Sequence, residues 1–176
     1  MKTYEVNGLK YTIGNLIKME DDGTFNVIIH GANCFNTLGG GIAAQLAKRS
    51  SKIVHADNQT VKGDRSKLGT YTKAVIDDIY TKKVYTVINA YTQYTYWDVN
   101  DMLSYDAVRQ VLTTVKEKFD SDPNEVPSIG IPLMGAGLAR GDWNIIEKII
   151  KDIGFRDLTI VVFNEDEARR VNRIPT

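Results

Sequence analysis

Four short runs in this chain are apolar at most positions: Asn26 to His30, Val84 to Asn89, Ser128 to Leu133 and Leu158 to Phe163. A strand with one wet face alternates apolar and polar residues, so runs without alternation suit interior strands covered by helices on both sides. The segments between them carry the complementary pattern. Val108, Val111, Leu112, Val115 and Phe119 recur at three- and four-residue spacing behind Asn100 and Asp101, which predicts a capped amphipathic helix. Ile145, Ile146, Ile149, Ile150 and Ile153 make a second stripe, which Gly154 is placed to end. Gly39 to Arg49 reads as an earlier helix opening on a glycine run. Strands alternate with helices, so the expected class is a layered α/β domain. Ahead of this pattern, Tyr4 to Val6 and Leu9 to Ile13 flank Asn7-Gly8, which supplies the positive φ angles of a tight turn, so an antiparallel hairpin should open the chain. Asp120 to Pro127 reads as a polar loop, and Arg169 to Thr176 as an end that frays.

Composition narrows the partners. With 176 residues, 43% of them hydrophobic and 25% charged, the sequence 1–176 fits one domain able to bury a core without disulfide or metal staples. Lys plus Arg and Asp plus Glu both number 22, so the clustered positive excess that meets nucleic acid or anionic lipid is missing. Neither is expected as a partner. One cysteine, Cys34, excludes an internal disulfide, and two histidines, His30 and His55, give no basis for a metal centre. No cofactor is expected. No run approaches the roughly 20 apolar residues that span a bilayer, and Met1 to Val6 has no apolar export core. A cytoplasmic monomer is the expectation.

The 14 glycines are unevenly spread. Gly39, Gly40 and Gly41 are consecutive, and Gly135, Gly137 and Gly141 share a second loop. Each loop follows a predicted strand and leads into a predicted helix, where backbone N–H groups and the positive end of the helix dipole converge on an anion. Turning the chain is the competing use of such glycines. Gly39 to Ala44 matches the dinucleotide fingerprint G-x-G-x-x-A, yet Asn33 to Leu38 intervene between strand and first glycine. No Gly-Lys-Ser or Gly-Lys-Thr follows either loop, which excludes a P-loop.

Taken together, Val27 to Cys34, Gly39 to Ala43 and Pro132 to Leu138 resemble a macrodomain over nearly the whole chain. The resemblance is nearest to the branch containing ADP-ribose-1''-phosphate phosphatases, through His30-x-x-Asn33-Cys34 before the glycine run and Gly141-Asp142-Trp143 after the second loop. It implies a three-layer α-β-α sandwich with a mixed central sheet, and ADP-ribose or its 1''-phosphate as small-molecule ligand. Asn15 and Leu16 then stand where a Gly-Asp-hydrophobic turn reads adenine, with Asn in place of Asp. Asn33 would hold the distal ribose. Gly39, Gly40, Gly41 and Ile42, with Gly135, Ala136, Gly137 and Leu138, would wrap the pyrophosphate and distal ribose. Phe163 and Asn164 would pack on the adenine.

Two signatures of macrodomains that remove ADP-ribose from proteins are missing. Ala43 stands where one needs an acidic residue, Ala139 stands where another needs aspartate, and Lys73 does not align with the latter's lysine. His30 and Asp142 remain as catalytic candidates for metal-independent release of phosphate from ADP-ribose 1''-phosphate, with a non-catalytic ADP-ribose module and a de-ADP-ribosylating hydrolase as alternatives. His30 is a possible general acid or base, or a satisfied core histidine. Asp142 can orient water, attack phosphorus or cap the following helix. Cys34 reads as a small buried residue. Tyr91, Gln93, Tyr94, Tyr96 and Trp97 either wall the pocket or cover the sheet edge. Arg140 reaches the phosphates or solvent, and His55 lies on a helix surface.

Overall fold

The structure is a computed structural model that describes residues 1–22, 24–79 and 82–173. Strands β1 (Tyr4–Val6) and β2 (Leu9–Ile13) form the expected hairpin, with Asn7 at φ 53° and Gly8 at φ 78° in its turn. Strands β3 (Val27–Asn33), β4 (Tyr71–Asp78), β5 (Lys83–Gln93), β6 (Ile129–Ile131) and β7 (Leu158–Val162) complete one sheet of order β1-β2-β7-β6-β3-β5-β4. The central pairs are parallel, while β1 and β4 run antiparallel at the two edges. The four apolar runs are β3, β5, β6 and β7, and every residue of β6 and β7 is buried. Strand β4 carries none of that signal because its edge position leaves Lys73, Val75 and Asp77 exposed around buried Ala74 and Ile76.

Helices α1 (Leu16–Asp21), α2 (Gly41–Arg49), α3 (Ser51–Asn58), α4 (Tyr105–Phe119), α5 (Trp143–Ile153) and α6 (Glu165–Arg170) cover the sheet. Successive β3 residues point to opposite faces. Ile29 accordingly joins the core under α4 and α5, with Val108, Val111, Leu112, Val115, Ile146 and Ile150. Ile28 packs on the other face with Leu16, Phe25 and Val161. This is the mixed α/β sandwich expected.

Three local readings are corrected. Ser104 caps α4 by accepting from Ala107 N–H at 3.1 Å, and Asn100 and Asp101 lie upstream in a separate short turn, Val99–Asp101. Ile145 is 43% exposed, so it leaves the α5 stripe. The end at Arg169 does not simply fray: Arg173 is buried in a doubly hydrogen-bonded ion pair with Glu147, at 2.6 and 2.9 Å. The remainder of that segment, 174–176, lies outside the described residues.

Candidate functional site

The carboxyl ends of β2, β3, β5, β6 and β7 lie along one sheet edge, and each leads into a helix. Five helix N-termini therefore gather there, the usual ligand position in open parallel sheets. Four are closed by side chains. Asn15 Oδ1 accepts from Ile17 N–H at 2.9 Å at α1, Ser104 Oγ from Ala107 N–H at 3.1 Å at α4, Asp142 Oδ1 from Asn144 N–H at 2.9 Å at α5, and Asn164 Oδ1 from Glu167 N–H at 2.9 Å at α6. The fifth is α2, where Gly40 occupies the cap position and no side chain caps the helix. The first-turn amides of α2 are thus left for solvent or an anion.

The two glycine loops meet. A Cβ on Gly40 would lie 2.7 Å from Leu138 Cδ1, and one on Gly41 3.8 Å from it. Leu138 is 72% exposed, a leucine held over glycines without a surrounding core. The second loop closes on itself through Gly141 N–H donating to Gly135 O at 2.7 Å, so tightly that a Cβ on Gly141 would sit 2.5 Å from that oxygen. Gly135 (φ 79°) and Arg140 (φ 59°) occupy left-handed backbone on either side of the turn. Arg170, from the end of α6, donates to Ala136 O at 3.1 Å.

The structure places His30 in the core rather than at the edge. It is fully buried on β3, its Nε2 lies 2.6 Å from Asn89 Oδ1, and burial depresses its pKa to about 4, against smaller raising effects from Asn89 and the Gly31 main chain. Its other nitrogen makes no hydrogen bond of good geometry. A neutral imidazole sealed inside the sheet does not exchange protons with a ligand at the edge. Leu16 is 3% exposed, with its side chain in the core beneath α1. Asn33 spends both ends of its amide on its own loop: Nδ2 donates to Thr37 O at 2.7 Å and Oδ1 accepts from Phe35 N–H at 2.8 Å.

The remaining candidates divide by exposure. Gly39, Gly40, Gly41, Gly137, Leu138, Asn15, Phe163 and Asn164 are exposed at the edge, whereas Ala136 is buried. Asp142 is exposed and lines a hollow of about 330 Å³ with Ala136, Gly141, Trp143, Asn144 and residues 170–173. No residue of the first glycine loop lines that hollow. Cys34 is buried and its thiol is pushed up to about 11, chiefly by desolvation, which leaves no thiolate near neutrality. Tyr91 is buried, Tyr94 packs edge-on against Phe35 at 5.0 Å, and Tyr96 and Trp97 are exposed. Lys73 pairs with Ile88 on the edge strand, five residues before the end of β5. Among the described residues no cluster of His, Cys, Asp or Glu could hold a metal, and no helix is long and apolar enough to cross a membrane.

Sequence reasoning missed the charges beneath the loops. Asp57, Lys67, Glu147 and Arg173 are each less than a tenth exposed. One signal was available: Asp57 follows Ile53 by four residues and so shares the buried face of α3.

This arrangement is the macrodomain fold. The macrodomain of Mycobacterium tuberculosis DarG superposes with a TM-score of 0.62 at 20% identity, over 86% of this chain and 95% of that one. Thermosipho africanus DarTG, solved in complex with ADP-ribose, superposes with a TM-score of 0.71 at 11% identity, over 93% of this chain and 44% of that one. No protein-family model matches the sequence. An uncharacterised 17.5 kDa protein from the tk-vs intergenic region of Enterobacteria phage T4 is 37% identical over 144 residues, which is 81% of this chain and 87% of the phage protein. The chain belongs to the family of that phage protein.

Proposed function

We propose that the protein binds ADP-ribose and its 1''-phosphate at the carboxyl edge of the sheet, with the pyrophosphate on the α2 amides and the second glycine loop folded over it. The observation that carries this reading is the uncapped start of α2 facing Leu138, at an edge where the other four helices are capped. Backbone amides hold a compact diphosphate without a basic surface, consistent with a net charge of zero. DarTG, a protein of the same fold, was solved with ADP-ribose bound. Calorimetry with ADP-ribose tests the reading, and absence of binding overturns it.

The finer activity is release of phosphate from ADP-ribose 1''-phosphate. Asp142 favours it: Oδ1 caps α5, while Oδ2 accepts no hydrogen bond among the described residues. In this reaction water attacks phosphorus, the bond from phosphorus to the anomeric oxygen breaks, and Oδ2 takes the proton of the attacking water. The ribose hydroxyl draws its proton from solvent, because His30 is sealed away from the edge. Phosphate release measured with a chelator present, for wild type, Asp142→Ala and His30→Ala, separates this activity from binding alone. Release by wild type and loss in Asp142→Ala are expected; no release by wild type leaves the ADP-ribose module. Loss of label from ADP-ribosylated protein or DNA is the assay for the remaining alternative, which the alanines at 43 and 139 disfavour.

A further inference from the structure

A series of buried polar groups runs from the middle of the sheet to the first glycine loop, and ligand binding as described above uses none of it. It starts at His30. Asn89 Nδ2 donates to Ile53 O at 3.2 Å and to Thr72 Oγ1 at 3.1 Å, so Asn89 Oδ1 is an acceptor and His30 carries its proton on Nε2. Thr72 Oγ1 lies 3.0 Å from the Tyr91 hydroxyl, which donates to Asp57 Oδ1 at 2.7 Å. Asp57 is 1% exposed and feels the charge of Lys67, which is 6% exposed. The Lys67 ammonium stands 5.0 Å from the centre of the Tyr91 ring. It donates to Asn36 Oδ1 at 2.6 Å and to Cys34 O at 3.1 Å.

Both of those acceptors belong to the segment that joins β3 to Gly39. The same segment is also gripped from the turn after α3. Gly63 N–H donates to Cys34 O at 2.7 Å, and Asn36 Nδ2 donates to Thr60 O at 2.9 Å. Asn36 sits at φ 53°, a left-handed conformation that needs support from its surroundings. Burying an ammonium and a carboxylate is a poor way to stabilise a fold, since apolar residues of similar volume do as well or better. A cation does something those residues cannot, which is to fix two oxygens of a loop at once.

We propose that Lys67 is a positioning residue: by holding Cys34 O and Asn36 Oδ1 it sets the first glycine loop so that the α2 amides stand ready for an anion. Asp57, oriented by Tyr91, balances the buried charge. Burial lowers the pKa of Lys67 and raises that of Asp57, and each group partly offsets the other. The proposal rests on the binding reading above, and its test contains an arm independent of ligand.

The experiment measures amide hydrogen exchange across residues 34–44 and ADP-ribose affinity for wild type, Lys67→Met, Lys67→Arg, Asn36→Gly and Asn36→Asp. Glycine tolerates the backbone of residue 36 but removes the donor to Thr60 O along with the acceptor for Lys67, so Asn36→Asp, which keeps the acceptor and loses only the donor, is run beside it and the difference decides the matter should Lys67→Met fail to fold. In Lys67→Met and Asn36→Gly, exchange in this segment should rise about tenfold while β3, β5 and β6 keep their protection, and affinity should fall about tenfold. Lys67→Arg, which retains the cation, should recover part of both. Exchange in Asn36→Gly no faster than in Asn36→Asp overturns the proposal whether or not ligand binds. Wild type that fails to bind ADP-ribose overturns the binding reading instead, and the exchange data still decide the role of Lys67.

Discussion

The first glycine loop leads into a helix whose opening amides are unclaimed, and the second into a helix whose opening amides Asp142 already holds. Their foundations differ in parallel. Beneath the first loop, Lys67 donates to loop oxygens, so its charge acts on the loop directly. Beneath the second, Arg173 and Glu147 are locked to each other, and Glu147 also accepts from Tyr11 and Asn7. That cluster ties α5 to the hairpin and the C-terminal segment, and it touches no loop oxygen between 135 and 141. Two glycine-rich loops at one sheet edge thus stand on different foundations: the first leads to uncapped amides over a cation that holds its own oxygens, and the second to a capped helix over a self-contained ion pair.

The largest expected effect tests that base. Arg173→Ala leaves the Glu147 carboxylate buried without its cation and should cost about 3–5 kcal/mol of stability, measured by urea unfolding at pH 7. The hydrogen bonds from Arg173, Tyr11 and Asn7 outweigh burial and hold the Glu147 pKa below its ordinary value. The stability they give is therefore present above the unfolded carboxylate pKa and lost as pH falls through the folded one, so the cost of Arg173→Ala should shrink in acid. A cost under about 1 kcal/mol would remove the distinction between the two foundations.

Next in size is the effect of His30. Its folded pKa of about 4 lies below the unfolded value of 6.5, so the unfolded chain binds the proton more readily between them. Stability should then fall as pH drops from 6.5 toward 4, by up to about 3 kcal/mol from this group. His30→Gln keeps a donor for Asn89 without the titration, so unfolding curves at pH 7 and pH 5 should diverge less for the variant than for wild type. Equal pH dependence would mean that His30 reaches solvent, and would restore it as an acid–base candidate.

The features legible in the sequence were those set by local periodicity. The four apolar runs became interior strands because both their faces are covered, and Asn7-Gly8 became a tight turn because its φ angles are intrinsic to those residues. The convergence of the glycine loops followed from strand-to-helix order. Strand β4 was illegible because its exposed face carries Val75 between Lys73 and Asp77, so Tyr71 to Asp78 shows neither an unbroken apolar run nor a clean alternation. The choice between a core and an edge His30 was not legible, because a motif gives the order of residues along the strand, while the face that each presents depends on what packs there. The cap of α4 was missed by three residues because Asn100, Asp101 and Ser104 are all good capping types, and only the position of Met102 and Leu103 beside β5 selects Ser104.

Two smaller effects bear on the loops themselves. Gly40→Val places its side chain against Leu138 and over the free amides of α2, where the backbone (φ −138°) accepts any residue. ADP-ribose affinity should fall about tenfold or more, with stability within about 0.5 kcal/mol of wild type. Leu138→Ala in the same chain should return part of that affinity if contact between the loops is the obstacle, and none if the amides themselves are masked. Asp142→Ala removes a cap and should cost about 1 kcal/mol, whereas Asp142→Ser, which caps as well, should cost less than half of that. ADP-ribose affinity should be nearly the same in both variants, because the amides that meet the pyrophosphate are those of α2. A tenfold loss of affinity in Asp142→Ser would place the anion on α5 and reverse the roles of the two loops.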